Sequence, residues 1–116
     1  VADDPTAWDV YAMANVQAPT GDPEYWFTVF ATSDATRNQG KYSSEKLDEL
    51  EKELSAEFDI EKRAELAVQM QQTVLDDHAF VFCSFLKMSM ISKANVTGYE
   101  SHACDYYQVT ADLDIN

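Results

Sequence analysis

The sequence predicts an α/β (α+β) fold in which two amphipathic helices pack on a mixed sheet. Two segments, residues 8–15 and 80–92, are rich in the aromatic and branched side chains that strands favour. Between them, apolar residues recur at three- and four-residue steps, which is typical of helices that bury one side. Because the connection between the two strands is long and helical, we expect a parallel or mixed arrangement.

The first third of the chain reads as a strand, a loop and a short aromatic helix. In residues 8–15 one alternating set is apolar and the other is half apolar, as in a strand covered on two faces. Residues 17–21 contain Pro and Gly and predict a turn. Asp22 is suited to cap a helix, and Pro23 and Glu24 suit its first turn. The predicted helix is aromatic and holds Tyr25, Trp26, Phe27, Val29 and Phe30.

Two helices are predicted between Ser43 and Asp77. Ser43 or Ser44 caps the first helix, and Asp59 caps the second, which ends near Asp76 or Asp77. The residues expected to face inward are Leu47, Leu50, Leu54 and Phe58 in the first helix, and Leu66, Ala67, Met70, Thr73 and Val74 in the second. From Ser43 to His78 we count eleven acidic and four basic residues, which predicts a solvated outer face.

The last third of the chain is expected to be mostly strand and turn. Residues 80–92 form the best strand candidate, residues 95–98 a turn, residues 106–111 a further short strand, and residues 112–116 a tail. The two cysteines, Cys83 and Cys104, pair only if the chain lives in an oxidising compartment and the geometry allows it. Two separate thiols are the alternative.

Composition excludes several classes of function. With 21 acidic and 8 basic residues the formal charge is −13, which argues against binding nucleic acid or an anionic membrane face. No apolar run is long enough to span a bilayer, and no signal peptide is recognisable in this chain. The 46% apolar content is enough for a folded core.

Catalysis and cofactor binding are not expected either. The sequence has no Gly-x-Ser-x-Gly elbow, and three glycines are too few for a phosphate-binding loop. His102, Cys104 and Asp105 mix metal-ligating types at close spacing but lack the second pair of ligands that a zinc site needs. We therefore predict no cofactor, no metal site and no enzyme activity.

Four motifs, in order, resemble the C-terminal portion of the solute-binding proteins of peptide and nickel ABC transporters (bacterial solute-binding protein family 5). They are Trp8-Asp9-Val10-Tyr11, Asp22-Pro23 followed by aromatic residues, the helix pair with Asp59-Ile60-Glu61-Lys62-Arg63-Ala64-Glu65-Leu66 at its second entry, and Ala79-Phe80-Val81-Phe82 with the turn that ends at Gly98. The resemblance covers nearly the whole chain.

The resemblance implies a periplasmic-binding-protein-like lobe. Proteins of that family are two-lobed, close on a small solute by a hinge, and deliver it to the membrane permease of an ABC importer. They are not enzymes, and they lie outside the cytoplasm, in the periplasm or as surface lipoproteins. On this interpretation residues 1–116 are a single C-terminal lobe fragment that packs against the remainder of the same receptor. Residues 1–95 form the core of the second lobe, and residues 96–116 return toward the first.

The same resemblance places the ligand site just after the first strand. The loop Asn15 to Gly21 and the adjacent aromatic helix are expected to face the cleft between the lobes. The expected ligand-binding residues are Asn15, Val16, Gln17, Pro19, Thr20, Tyr25 and Trp26. Asn15 and Gln17 are expected to hydrogen-bond the solute, a peptide or a metal chelate, and Tyr25 or Trp26 to supply an apolar or stacking contact.

A second interpretation is a self-contained acidic module without a transport role. It would bind a protein partner through an exposed apolar face formed by residues 80–91.

Overall fold

The computed structural model describes residues 4, 6–15, 19–85, 87, 89–100 and 109–116. The chain divides into two units, Val1–Phe82 and Cys83–Asn116. In the described residues the helices are α1 (Glu24–Trp26), which continues as a π-helical turn over Phe27–Ala31, α2 (Glu45–Ala56) and α3 (Ile60–Asp76). Two strands follow, β1 (Val96–Thr97) and β2 (Asp114–Ile115). The chain is thus a mixed α+β structure, which confirms the coarse fold class.

The starts of α2 and α3 are fixed by the predicted caps, whereas the N-cap of α1 is Pro23, which was predicted to lie in the first turn, and Asp22 precedes it. Asp22 accepts a 2.9 Å hydrogen bond from the backbone N–H of Glu24 at the start of α1. The Ser44 side chain accepts from Leu47 N–H, and Asp59 accepts from the backbone N–H groups of Glu61 and Lys62. These bonds satisfy amides that have no partner within the helix itself.

The core of the first unit lies between α2, α3 and the turn that follows α1. Its buried members are Phe27, Ala31, Leu47, Leu50, Leu54, Ala67, Met70 and Val74. The inward residues predicted for the two helices are buried or partly buried, with one exception. Phe58 is 90% exposed, because α2 ends at Ala56 and Phe58 lies in the connection before the Asp59 cap. The assignment of Phe58 to the core was wrong.

The loop between the π-helical turn and α2 is closed by a buried amide. Asn38, which is 7% exposed, donates to the backbone carbonyls of Thr32 and Tyr42 and accepts from the Tyr42 N–H. A buried amide with three bonds holds the loop in one conformation, because each group would otherwise be left unsatisfied.

Among the described residues, the sheet is not where the sequence predicted it. Residues 8–15 are not a strand, and neither are the described residues of 80–92. The described strands are the two-residue pair β1 and β2, antiparallel with Val96 opposite Ile115. Apolar composition records a preference for burial, but a strand also needs a neighbouring strand to bond its backbone.

The C-terminal predictions need a similar correction. Val96 and Thr97 are strand, not turn, and β2 lies in the predicted tail. Of the predicted strand 106–111, the described residues 109–111 are not strand, and residues 106–108 lie outside the described part. Gly98 has a φ of 77°, and a Cβ there would lie 1.7 Å from the Asp112 carbonyl oxygen, so this approach requires glycine.

Candidate functional site

The loop before α1 carries the described part of the predicted ligand site. Pro19 and Thr20 form a turn, Pro19 half-buried and Thr20 exposed. Gly21 follows with a φ of 80°, a left-handed conformation that glycine adopts without strain. The Thr20 hydroxyl then accepts a 3.4 Å hydrogen bond from the Asp22 N–H. The turn is therefore joined to Asp22, whose side chain accepts from the first backbone N–H of α1.

Trp26 lies at the centre of an aromatic cluster, which we define as Trp26, Phe80 and Phe82. Its ring centroid is 5.2 Å from that of Phe80, edge to face, and 5.6 Å from that of Phe82. Phe27 and Phe30 of the π-helical turn that follows α1 also contact the Trp26 ring. Trp26 is half-buried, whereas Phe82 is 50% exposed, so the aromatic cluster reaches solvent at Phe82.

Arg63 joins three elements of the first unit. Its Nη2 donates to Oδ2 of Asp22 at 2.7 Å and to Oε2 of Glu24 at 2.8 Å. Its Nη1 donates to the backbone carbonyls of Leu54 and Glu57 at 2.6 and 2.9 Å. The start of α1, the end of α2 and the first turn of α3 thus meet at one guanidinium group.

The electrostatics of this junction favour a charged guanidinium. The hydrogen bond to Glu24, and then that to Asp22, raises the pKa of Arg63 above its ordinary value. The Arg63 side chain is 18% exposed, so its bonds are only partly screened by water. Ser55 supports the same junction by donating to Oε1 of Glu24 at 2.8 Å.

The structure brings some of the predicted ligand residues together. Thr20 is joined to the start of α1, and Tyr25 and Trp26, both half-buried, belong to α1 itself. Asn15 is half-buried in an irregular segment, and no hydrogen bond or ring contact among the described residues joins it to α1. Val16 and Gln17 lie outside the described residues. Their role, like that of the other ligand residues, stays a prediction.

The two cysteines and the histidine-containing segment are only partly described. Cys83 is exposed, and Cys104 lies outside the described residues, so their pairing stays a prediction. His102 and Asp105 also lie outside them. Elsewhere in the described ranges, no group of three or more His, Cys, Asp or Glu side chains is arranged to hold a metal ion.

The helices show one further surface feature. A shallow depression of about 450 Å³ lies on α3 and is lined by Ala64, Glu65, Val68 and Gln69, none of which was predicted to bind ligand. Within the part of the chain that the structure describes, no helix has both the length and the apolar content to cross a bilayer.

Arg63 was not identified as a site residue from the sequence, although it belongs to a motif that carries the family resemblance. Its acceptors Asp22 and Glu24 are 41 and 39 residues away, so no local pattern reveals the contact.

No protein-family model, curated protein or solved structure matches this chain.

Proposed function

We propose that this chain is a portion of an extracytoplasmic solute-binding protein of an ABC importer, of the peptide and nickel type. Its role is to help capture a small solute in a cleft between two lobes, for delivery to a membrane permease. It performs no catalysis in this role. The proposal rests on the family resemblance of the four motifs together with one structural observation.

That observation is the state of residues 8–15 and 80–92, the two segments whose sequences favour a strand. The described residues of these segments form no strand. Several of their large apolar side chains are exposed: Val10 by 86%, Val81 by 86%, Phe85 by 87% and Ile91 by 94%. Apolar side chains at this density are normally covered in a monomeric soluble protein. A lobe whose sheet is completed by the remainder of a receptor accounts for both the sequence pattern and the exposure.

The helical part supports the same proposal. The capped start of α1 and the α2–α3 pair occur where the resemblance places a loop-to-helix junction and a helix pair. In the proposed receptor, the loop 15–21 and the side of Tyr25 and Trp26 form one wall of the cleft. A capped helix after a Gly-containing turn, next to an aromatic cluster, suits an apolar wall edged by polar groups.

The experiment is a thermal-shift panel on two proteins, the 116-residue chain and the longest polypeptide that its gene encodes. The panel contains short peptides, nickel chelates and opine-like metallophores. We expect at least one solute to raise the Tm of the longer polypeptide, since a ligand at 100 times its Kd stabilises by about 2.7 kcal/mol. The chain alone should respond weakly, because part of a cleft buries only part of a ligand.

Two results would overturn the proposal. One is a panel in which no solute shifts the Tm of the longer polypeptide. The other is a reading frame that encodes this chain and nothing more, which would favour the self-contained interaction module and its exposed apolar face at residues 80–91.

A further inference from the structure

We propose that Arg63 is the positioning residue for residues 19–22, the described end of the candidate ligand loop and its junction with α1: it fixes these residues and the orientation of Trp26 relative to the helix pair. This inference rests on the proposed function for its meaning, since it concerns the wall of the same cleft. Its physical content is a set of contacts within the first unit.

The contacts of Arg63 are divided between the two sides of the junction. Nη1 binds the carbonyls of Leu54 and Glu57, which belong to the end of α2 and the connection after it. Nη2 binds the carboxylates of Asp22 and Glu24, which belong to the start of α1. A planar guanidinium has the donors and the fork geometry for such a four-bond arrangement, whereas an ammonium on a flexible stem does not.

The described hydrogen bonds of residues 20–24 are of two kinds, local bonds and bonds to the helix pair. The Thr20 bond to the Asp22 N–H and the Asp22 bond to the Glu24 N–H are local. Among the described long-range hydrogen bonds of residues 19–24, those to Arg63 and the Ser55 bond to Glu24 cross to the helix pair. Loss of Arg63 would also leave two neighbouring carboxylates without their cation, and their mutual repulsion would displace the start of α1.

The aromatic side chains of α1 come directly after the residues that Arg63 holds. Tyr25 and Trp26 come directly after Glu24 in a helix whose first turn is held by Arg63. A rotation of that turn carries the Trp26 ring with it and changes its edge-to-face contact with Phe80 at 5.2 Å. The environment of the Trp26 indole therefore reports the position of the loop.

The test uses the 116-residue chain with Trp8→Phe, so that Trp26 is the sole indole. Three variants are compared in this background: Arg63→Gln, Arg63→Lys and, as a matched control for loss of one positive charge, Lys62→Gln. Lys62 is adjacent, exposed, and contacts Glu57 at 3.8 Å without touching the loop. Amide hydrogen exchange of the peptide 19–26 and the emission maximum of Trp26 are measured well below the Tm.

We expect Arg63→Gln to speed amide hydrogen exchange in residues 19–26 by about tenfold or more, because the loss of charge-assisted hydrogen bonds lowers local stability on that scale. We also expect it to shift the emission maximum of Trp26. Exchange in α2 and α3 should stay near the parent rate. Arg63→Lys should fall between the parent and Arg63→Gln, and Lys62→Gln should match the parent. Should Arg63→Gln fail to fold, Asp22→Asn removes one of the same bonds from the other side and should speed exchange in the same peptide.

Unchanged exchange in residues 19–26 overturns the inference. So does an equal rise across the loop and both helices, because that pattern shows a general loss of stability without local positioning. The readout needs no solute. A failed thermal-shift panel would therefore overturn the transport proposal and leave this result standing, and the reverse also holds.

Discussion

The Tyr42 hydroxyl donates a 2.6 Å hydrogen bond to Oδ2 of Asp77, which joins the loop before α2 to the C-cap residue of α3. The Tyr42 ring also meets Phe80 edge to face, with centroids 6.1 Å apart. We predict that Tyr42→Phe, which keeps the ring and removes the bond, lowers the free energy of unfolding by about 1–2 kcal/mol. Urea denaturation checks this, with Tyr11→Phe as the control at an exposed tyrosine. A change below that of the control would contradict it.

Tyr42 also predicts how stability depends on alkaline pH. Burial, and then the hydrogen bond to Asp77, raises the pKa of Tyr42 above its ordinary value of 10.0. A raised pKa means that the folded state favours the protonated phenol. This contribution is therefore complete below pH 10 and is lost as pH rises through the higher folded value. We expect the parent to lose more stability than Tyr42→Phe between pH 9 and 12, as measured by urea denaturation at each pH. Parallel curves would contradict this sign.

The core is tested by one substitution made at two positions of α3. Val74 is 0% exposed and Val68 is 62% exposed, so Val→Ala removes buried methyl groups at one and solvated ones at the other. Val74→Ala should cost about 2 kcal/mol of unfolding free energy, and Val68→Ala about 0.5 kcal/mol or less. Calorimetric or urea unfolding measures the difference. Equal losses would show that the α2–α3 packing described above is wrong.

The start of α3 depends on the Asp59 cap. Its Oδ1 accepts 3.1 Å hydrogen bonds from both Glu61 N–H and Lys62 N–H. Asp59→Ala should destabilise the chain by about 1 kcal/mol, whereas Asp59→Asn keeps an acceptor and should cost much less. Urea denaturation of the pair separates the cap from the charge. An equal loss in both variants would assign the effect to charge instead.

The helices were predictable because their signals are local. Ser44 and Asp59 act within three residues of themselves, and Leu47, Leu50 and Leu54 record one buried face. Phe58 was misplaced because the same spacing continues past Ala56, where α2 ends with Glu57 in an extended conformation. Spacing alone does not register a competing cap.

The strands and the junction could not be predicted from local patterns. The composition of residues 8–15 and 80–92 shows which side chains these segments would bury. Strand pairing, however, depends on a neighbouring strand that a local sequence pattern does not identify. Likewise, Arg63 sits in a charged stretch of α3 like many solvated arginines, and only the folded chain brings Asp22 to within 2.7 Å of it.

The central claim is that the loop 15–21 and the side of Trp26 bind a solute. Calorimetric titration of the longest polypeptide that the gene encodes tests this claim most directly. The titrant is the solute of the thermal-shift panel that raises the Tm of that polypeptide most. The parent is compared with three variants. The first carries both Asn15→Ala and Gln17→Ala, and the second carries Trp26→Phe, which keeps a ring in the aromatic cluster. The third, Val68→Ala, is the control at an exposed side chain of α3. We predict that the double variant binds about tenfold more weakly or worse, that Trp26→Phe weakens binding, and that the control matches the parent. Affinities equal to that of the parent in both site variants would contradict the account.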